Sequence, residues 1–185
     1  RRLDQTGLVT VPLDTVATIN ARLQAVGYPG AAVATGEYPN PVDSTNFLGK
    51  IDQQVNGRDQ LGVRYSLYTV RSINSRGIGG TTTPGTPSAS AGLDNIDQSI
   101  AVSNTMTLSP RTVNETRAQF SYGDLKAPST DLVGPAVSIS GVAAFGTLSS
   151  SPQRRVNRMF QVVDSLSHQR GAHALRAGVE FLYIS

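Results

Sequence analysis

Asn46-Phe47-Leu48-Gly49-Lys50-Ile51-Asp52-Gln53-Gln54-Val55-Asn56-Gly57-Arg58-Asp59-Gln60-Leu61-Gly62-Val63-Arg64-Tyr65-Ser66 decides how this chain is read. Before the Asn56-Gly57 turn, Phe47, Gly49, Ile51, Gln53 and Val55 fall on one side of an extended chain, with Leu48, Lys50, Asp52 and Gln54 on the other. After the turn, Leu61, Val63, Tyr65 and Leu67 alternate with Gln60, Gly62, Arg64 and Ser66. Side chains of a strand point to opposite faces in turn, and Asn-Gly between two alternating runs is a strong hairpin signal. A slip of one residue would exchange the faces, so the pattern also fixes the register.

Outward from this hairpin the pattern repeats twice. Ser109-Pro110-Arg111 and Gln169-Arg170-Gly171-Ala172 are the other tight turns. Ile100, Val102, Met106 and Leu108 line one side of a strand whose other side is Ser99, Ala101, Ser103, Thr105 and Thr107. The next strand sets Thr112, Asn114, Thr116, Ala118, Phe120 and Tyr122 against Val113, Glu115, Arg117, Gln119 and Ser121, and is the least clean. Val156, Phe160, Val162 and Leu166, then Leu175, Ala177, Val179, Phe181 and Tyr183, are the apolar sides of the last two, with Arg176, Gly178 and Glu180 opposite. Each run has about the 9–11 residues that cross a bilayer at a tilt. Short turns at one end and long loops at the other are the build of a transmembrane β-barrel. The expected fold is therefore all-β: an antiparallel up-and-down meander of about six strands over 46–185, part of a large barrel, with long loops at 74–97 and 123–153.

Composition agrees. Charged residues are 16% of the chain, against about 25% in soluble domains, and the apolar residues are scattered singly. A wall with one face in lipid and one in water needs no dry core. There is no Cys, so disulfide and thiolate chemistry are excluded. The formal charge of +3 is dispersed, Arg1-Arg2 and Arg154-Arg155 being its basic pairs; nucleic acid is not an expected partner. No run of about 20 apolar residues occurs, so no membrane helix is expected. The chain opens on Arg1-Arg2-Leu3 and stops within an expected strand at Ile184-Ser185, which reads as an internal piece of a longer protein.

Residues 1–45 read as a loop and short-helix segment. Val9 to Leu13 suits a short strand. Asp14 is placed to cap a helix from Thr15, with Val16, Ile19, Leu23 and Val26 on one face and Gly27 at its end. Gly77-Ile78-Gly79-Gly80-Thr81-Thr82-Thr83-Pro84-Gly85 predicts a mobile loop. Ile139 to Gly146 is too apolar to be simply solvated and is expected to pack against a neighbouring loop or a lumen. Tyr65, Tyr68, Phe120, Tyr122, Phe181 and Tyr183 cluster toward the loop ends of their strands, as aromatics do at a membrane boundary.

The Asn46–Ser66 hairpin resembles those of TonB-dependent outer-membrane receptors, most nearly the Oar-like class with a carboxypeptidase-regulatory-like domain. Val11-Pro12-Leu13 and Tyr38-Pro39-Asn40-Pro41 resemble the segment preceding it, while Asn157 to Ser167 and Gly171 to Glu180 resemble later barrel strands. Lys50 and Gln53 depart from the Arg and His usual there. The resemblance implies a transporter of about twenty-two strands with a plug and a TonB box, taking up a scarce solute such as an oligosaccharide, peptide or metal chelate. It implies outer-membrane lipid, the plug and TonB as partners, and the bacterial outer membrane as location.

On this reading Lys50, Asp52, Arg64, Arg176 and Glu180 form a lumen-facing polar wall whose opposite charges pair across adjacent strands. Phe47, Ile51, Val63, Tyr65, Leu67, Phe120, Phe160, Val179 and Phe181 face lipid. Catalysis, metal and cofactor are not expected. His168 and His173 lack a third ligand, Ser165 lacks a nucleophile elbow, and Gly77 to Gly80 lacks the Lys-Ser/Thr of a phosphate loop. Asp52, Glu115, Asp164 and Glu180 match a glycosidase pair by residue type alone. The alternative reading is a soluble cell-surface β-sandwich binding or adhesion module, in which the apolar sides of two sheets meet in a dry core.

Overall fold

The structure, a computed structural model, describes residues 1–185. Its elements in chain order are β1 (Arg2–Leu3), β2 (Thr6–Val9), α1 (Leu13–Ala25), β3 (Gly36–Pro39), β4 (Val42–Asn56), β5 (Asp59–Arg76), β6 (Ala91–Ser109), β7 (Thr112–Ala127), β8 (Val137–Ile139), β9 (Ala143–Phe145), β10 (Gln153–Arg170) and β11 (His173–Ile184). One sheet has the order β1-β4-β5-β6-β7-β10-β11, so the six long strands neighbour each other in sequence order. Two further two-stranded antiparallel sheets are β2-β3 and β8-β9. The two residues of β1 add a seventh strand that the alternation did not reveal, pairing Arg2 with Asp43 and Leu3 with Val42. The chain divides into two compact units.

One unit gathers Arg1–Thr45, Thr69–Asn95 and Leu125–Arg155. Its core is small and dry: Val9, Val11, Val16 and Val33 pack with Ala143 and Phe145, flanked by Ile19, Leu23 and Tyr38. The apolar stretch Ile139–Gly146 thus buries itself against the N-terminal segment, through Ala143 and Phe145. Helix α1 begins at Leu13, two residues before the expected start. Pro12 occupies the cap position without a side-chain bond. Proline's fixed φ suits a helix entry, and Asp14 becomes a first-turn residue whose carboxylate accepts from the Thr15 N–H at 2.8 Å. Val16 is buried as expected, but Val26 is exposed because it has left the helix. The end is a paired motif: Tyr28 N–H bonds the Leu23 carbonyl and Gly27 N–H the Gln24 carbonyl, with Gly27 at φ +67, the left-handed position that glycine favours. The expected strand Val9–Leu13 lies earlier, at Thr6–Val9.

The segment that follows the glycine-rich stretch is packed. Thr86, Ser88 and Ser90 are buried. The Thr86 N–H donates to the Ala144 carbonyl and the Ala144 N–H to the Pro84 carbonyl, both at 2.8 Å. The Gly146 N–H donates to Ser88 Oγ at 3.2 Å and the Gly141 N–H to Thr83 Oγ1 at 3.1 Å. A Cβ on Gly85 would run into the Gly77 carbonyl, so these glycines serve close backbone approach. The ladders also reach further than the alternating runs suggested: β5 continues to Arg76, β6 starts at Ala91, and β7 ends at Ala127.

The other unit comprises Asn46–Tyr68, Ile96–Asp124 and Val156–Ser185. It is sheet throughout. In the β10–β11 hairpin, Val162 faces Phe181, Asp164 faces Val179 and Leu166 faces Ala177. Strand β11 is an edge, exposed along its twelve residues. The large apolar residues of this unit stay open to the surroundings: Ile51 is 72% and Val179 69% exposed, with Phe47, Ile100, Phe120 and Phe160 likewise exposed. A β-sandwich would bury them against a second sheet, and here they meet none.

Candidate functional site

Contacts across the strands show which side chains share a face. The Phe47 and Tyr65 rings lie 6.2 Å apart, and those of Phe160 and Phe181 6.4 Å apart, nearly edge to face. Tyr65 donates to Gln98 Oε1 at 2.9 Å. A shallow groove of about 340 Å³ joins Tyr65 to Ile100, Phe120 and Tyr122. Asn114 and Thr116 reach Asp164, which shares its side of β10 with Phe160. With alternation along each strand, Phe47, Ile51, Val63, Tyr65, Leu67, Phe120, Phe160, Val179 and Phe181 all lie on one face.

The opposite face is polar. Lys50 Nζ pairs with Asp52 at 2.8 Å. A Cβ on the buried Gly62 would sit 2.7 Å from Ser103 Oγ and 3.0 Å from Asp52 Oδ1, so Gly62, Asp52 and Ser103 face the same way. Ser66 and Ser99 hydroxyls meet at 2.7 Å. Arg176 reaches Glu115 at 3.5 Å, Arg117 reaches the same carboxylate oxygen at 3.6 Å, and Gln161 donates to Glu180. Lys50, Asp52, Arg64, Arg176 and Glu180 therefore share this face.

Their pairing differs from the expected ladder. Lys50 and Asp52 bond along one strand, two residues apart. Arg176 passes over β10 to a carboxylate on β7, because Ser165 and Ser167 on β10 are too short to meet it. Arg117 and Gln161 were not singled out from the sequence, and Glu115 only as an acid by type, although their place in the alternation put all three here. Tyr68 departs from the aromatic set: it shares the polar side with Ser66 and lines a hollow with Asp97, Ser99 and Ser121.

Between Lys50 and Arg64 on one side and Arg117, Gln119 and Gln161 on the other, this face sinks into a hollow of about 460 Å³. Its floor is Gly62, Ala101 and Ser103, residues with little or no side chain.

A family model described as an outer membrane beta barrel domain matches residues 10–185. The chain belongs to the outer membrane β-barrel domain family. Neither the curated proteins nor the solved structures give a match. An outer membrane β-barrel domain places the chain in the bacterial outer membrane. It also accounts for strands of 15 to 19 residues in five of the long elements and for an exposed apolar face that a soluble sandwich would have to cover.

The remaining residues weighed for chemistry are dispersed. His168 bonds Thr112 Oγ1 at 2.9 Å and faces Leu175 across the hairpin, while His173 faces Arg170. Ser165 and His168, three apart on a strand, point to opposite faces. Asn114 donates to Asp164 at 3.1 Å. Asp164 is the side chain that sequence reading left without a place: a carboxylate among apolar neighbours, satisfied by Asn114 and by Thr116 at 2.6 Å.

Proposed function

We propose that this outer membrane β-barrel domain is wall from a TonB-dependent receptor that takes up a scarce solute, an oligosaccharide, peptide or metal chelate. The apolar face meets lipid and the polar face lines the aqueous interior. The segments at the long-loop ends of the hairpins contribute to the outer mouth and to solute contact. The plug and TonB supply gating and energy, and the wall does no chemistry on the solute.

One observation carries this reading: exposed apolar side chains stand on one face, and the cation-lined hollow opens on the other. Water-filled barrels alternate apolar-out and polar-in in this way. The likeness of Asn46–Ser66 to a receptor hairpin adds the energy-coupled class. The test is photo-crosslinking of the full-length protein, in outer-membrane vesicles, to the periplasmic domain of TonB. A crosslink supports the receptor reading; a protein that never engages TonB, and passes solutes without energy, contradicts it.

A further inference from the structure

The hollow on the polar face is built rather than incidental. Small residues keep its floor low, and a Cβ at Gly62 would crowd Ser103 Oγ and Asp52 Oδ1. Three cations on three strands line it, Lys50 on β4, Arg64 on β5 and Arg117 on β7, and the carboxylate beside its floor, Asp52, is paired with Lys50. Gln119 and Gln161 add amide donors to the same lining. Arg64 has no carboxylate partner. Lys50 and Arg117 have theirs in exposed pairs, with Asp52 at 2.8 Å and Glu115 at 3.6 Å. Exposed pairs of this kind are weak and readily exchanged, and Glu115 is already shared with Arg176. Guanidinium forks and amide N–H groups around a concave floor match the oxygens of a carboxylate or phosphate.

We propose that this hollow is an anion subsite on the solute path, taking the carboxylate or phosphate group of an acidic solute. The inference rests on the reading of the polar face as the aqueous interior. It narrows the solute class to one bearing negative charge. Arg64 is the principal contact, and Lys50 and Arg117 exchange their carboxylate partners for the solute.

The test places one thiol on the floor, Ser103→Cys, in the full-length protein with any other cysteine removed; this chain itself contains none. Two methanethiosulfonate reagents of similar size are compared, one carrying a sulfonate and one a trimethylammonium group. The expected result is reaction with the anionic reagent faster by about tenfold, as a cation-lined cleft concentrates anions. Arg64→Gln with Arg117→Gln is expected to bring the ratio close to one. Citrate is expected to protect the thiol where the same concentration of sucrose does not. Equal rates, or faster reaction of the cationic reagent, overturn the proposal, and they are the outcome if an acidic stretch of the plug occupies the cations instead. Failure of both reagents, with the thiol labelled only by a lipophilic maleimide, overturns the interior reading itself and the subsite with it.

Discussion

The Thr116 hydroxyl donates to the Asp164 carboxylate at 2.6 Å on the face that otherwise carries Phe120, Phe160 and Val179. A carboxylate among apolar side chains persists when donors satisfy it, and removing one partner costs more than removing both. Thr116→Val is therefore expected to lower the thermal midpoint of the full-length protein in detergent. The double change Thr116→Val with Asp164→Leu should recover most of that loss. A double variant less stable than the single one would contradict this account of the pair.

Phe145 is 4% exposed in a core otherwise made of valine and alanine. It is the largest of the buried side chains there. Phe145→Ala is expected to cost about 3–5 kcal/mol. In denaturant titrations followed by limited proteolysis, cleavage within 69–95 and 125–155 should appear well before the remaining strands are lost. Unchanged protection would show that these segments do not depend on this core.

Gly146 combines φ +78 with close approach to the Pro135 carbonyl. Gly146→Ala is expected to destabilise by about 1–3 kcal/mol and to open the same segments to protease. Gly141→Ala, also at positive φ but with open space around it, should do so less. Equal effects would mean that backbone strain alone, and not the packed approach, matters at Gly146.

The Tyr28 hydroxyl donates to the Asp131 carboxylate at 3.3 Å. Burial first, and then the charge of Asp131, raise the phenol's pKa above its ordinary value. The neutral form is thus favoured in the folded chain. The unfolded chain loses this proton first as pH rises past about 10, so stability falls from there up to the folded pKa. Absorbance titration at alkaline pH should show one late-ionising tyrosine that Tyr28→Phe removes. A Tyr28→Phe variant with the same stability loss above the ordinary tyrosine pKa would contradict the assignment.

Alternation along 46–72 and 96–122 made the hairpins, their order and both faces legible, because a period of two leaves one arrangement in which like meets like. The packing of Ile139–Gly146 was legible in kind, since so apolar a run needs cover. Its partners, Val9, Val11, Val16 and Val33, were not, because contacts between loops distant in sequence leave no periodic trace. The close approach of Gly85 to Gly77 was not legible, because glycine serves both freedom and close approach and only the placed backbone distinguishes them. Arg176 was placed on its face but not with Glu115, since the reach of arginine over a strand of serines is a tertiary fact. Asp164 broke the pattern locally, and that break marked a satisfied polar cluster.

The most direct test of the two-faced wall uses the absence of tryptophan from this chain. Single tryptophans are introduced into the full-length protein, in a tryptophan-free background, by Val63→Trp and Phe181→Trp on the apolar face and by Ser103→Trp and Gln119→Trp on the polar face. The protein is then reconstituted in vesicles containing lipids brominated on their acyl chains. Strong quenching of the first two is expected and little of the second two, which aqueous acrylamide should quench instead. Equal quenching by bromolipid on both faces, or the reverse order, would contradict it.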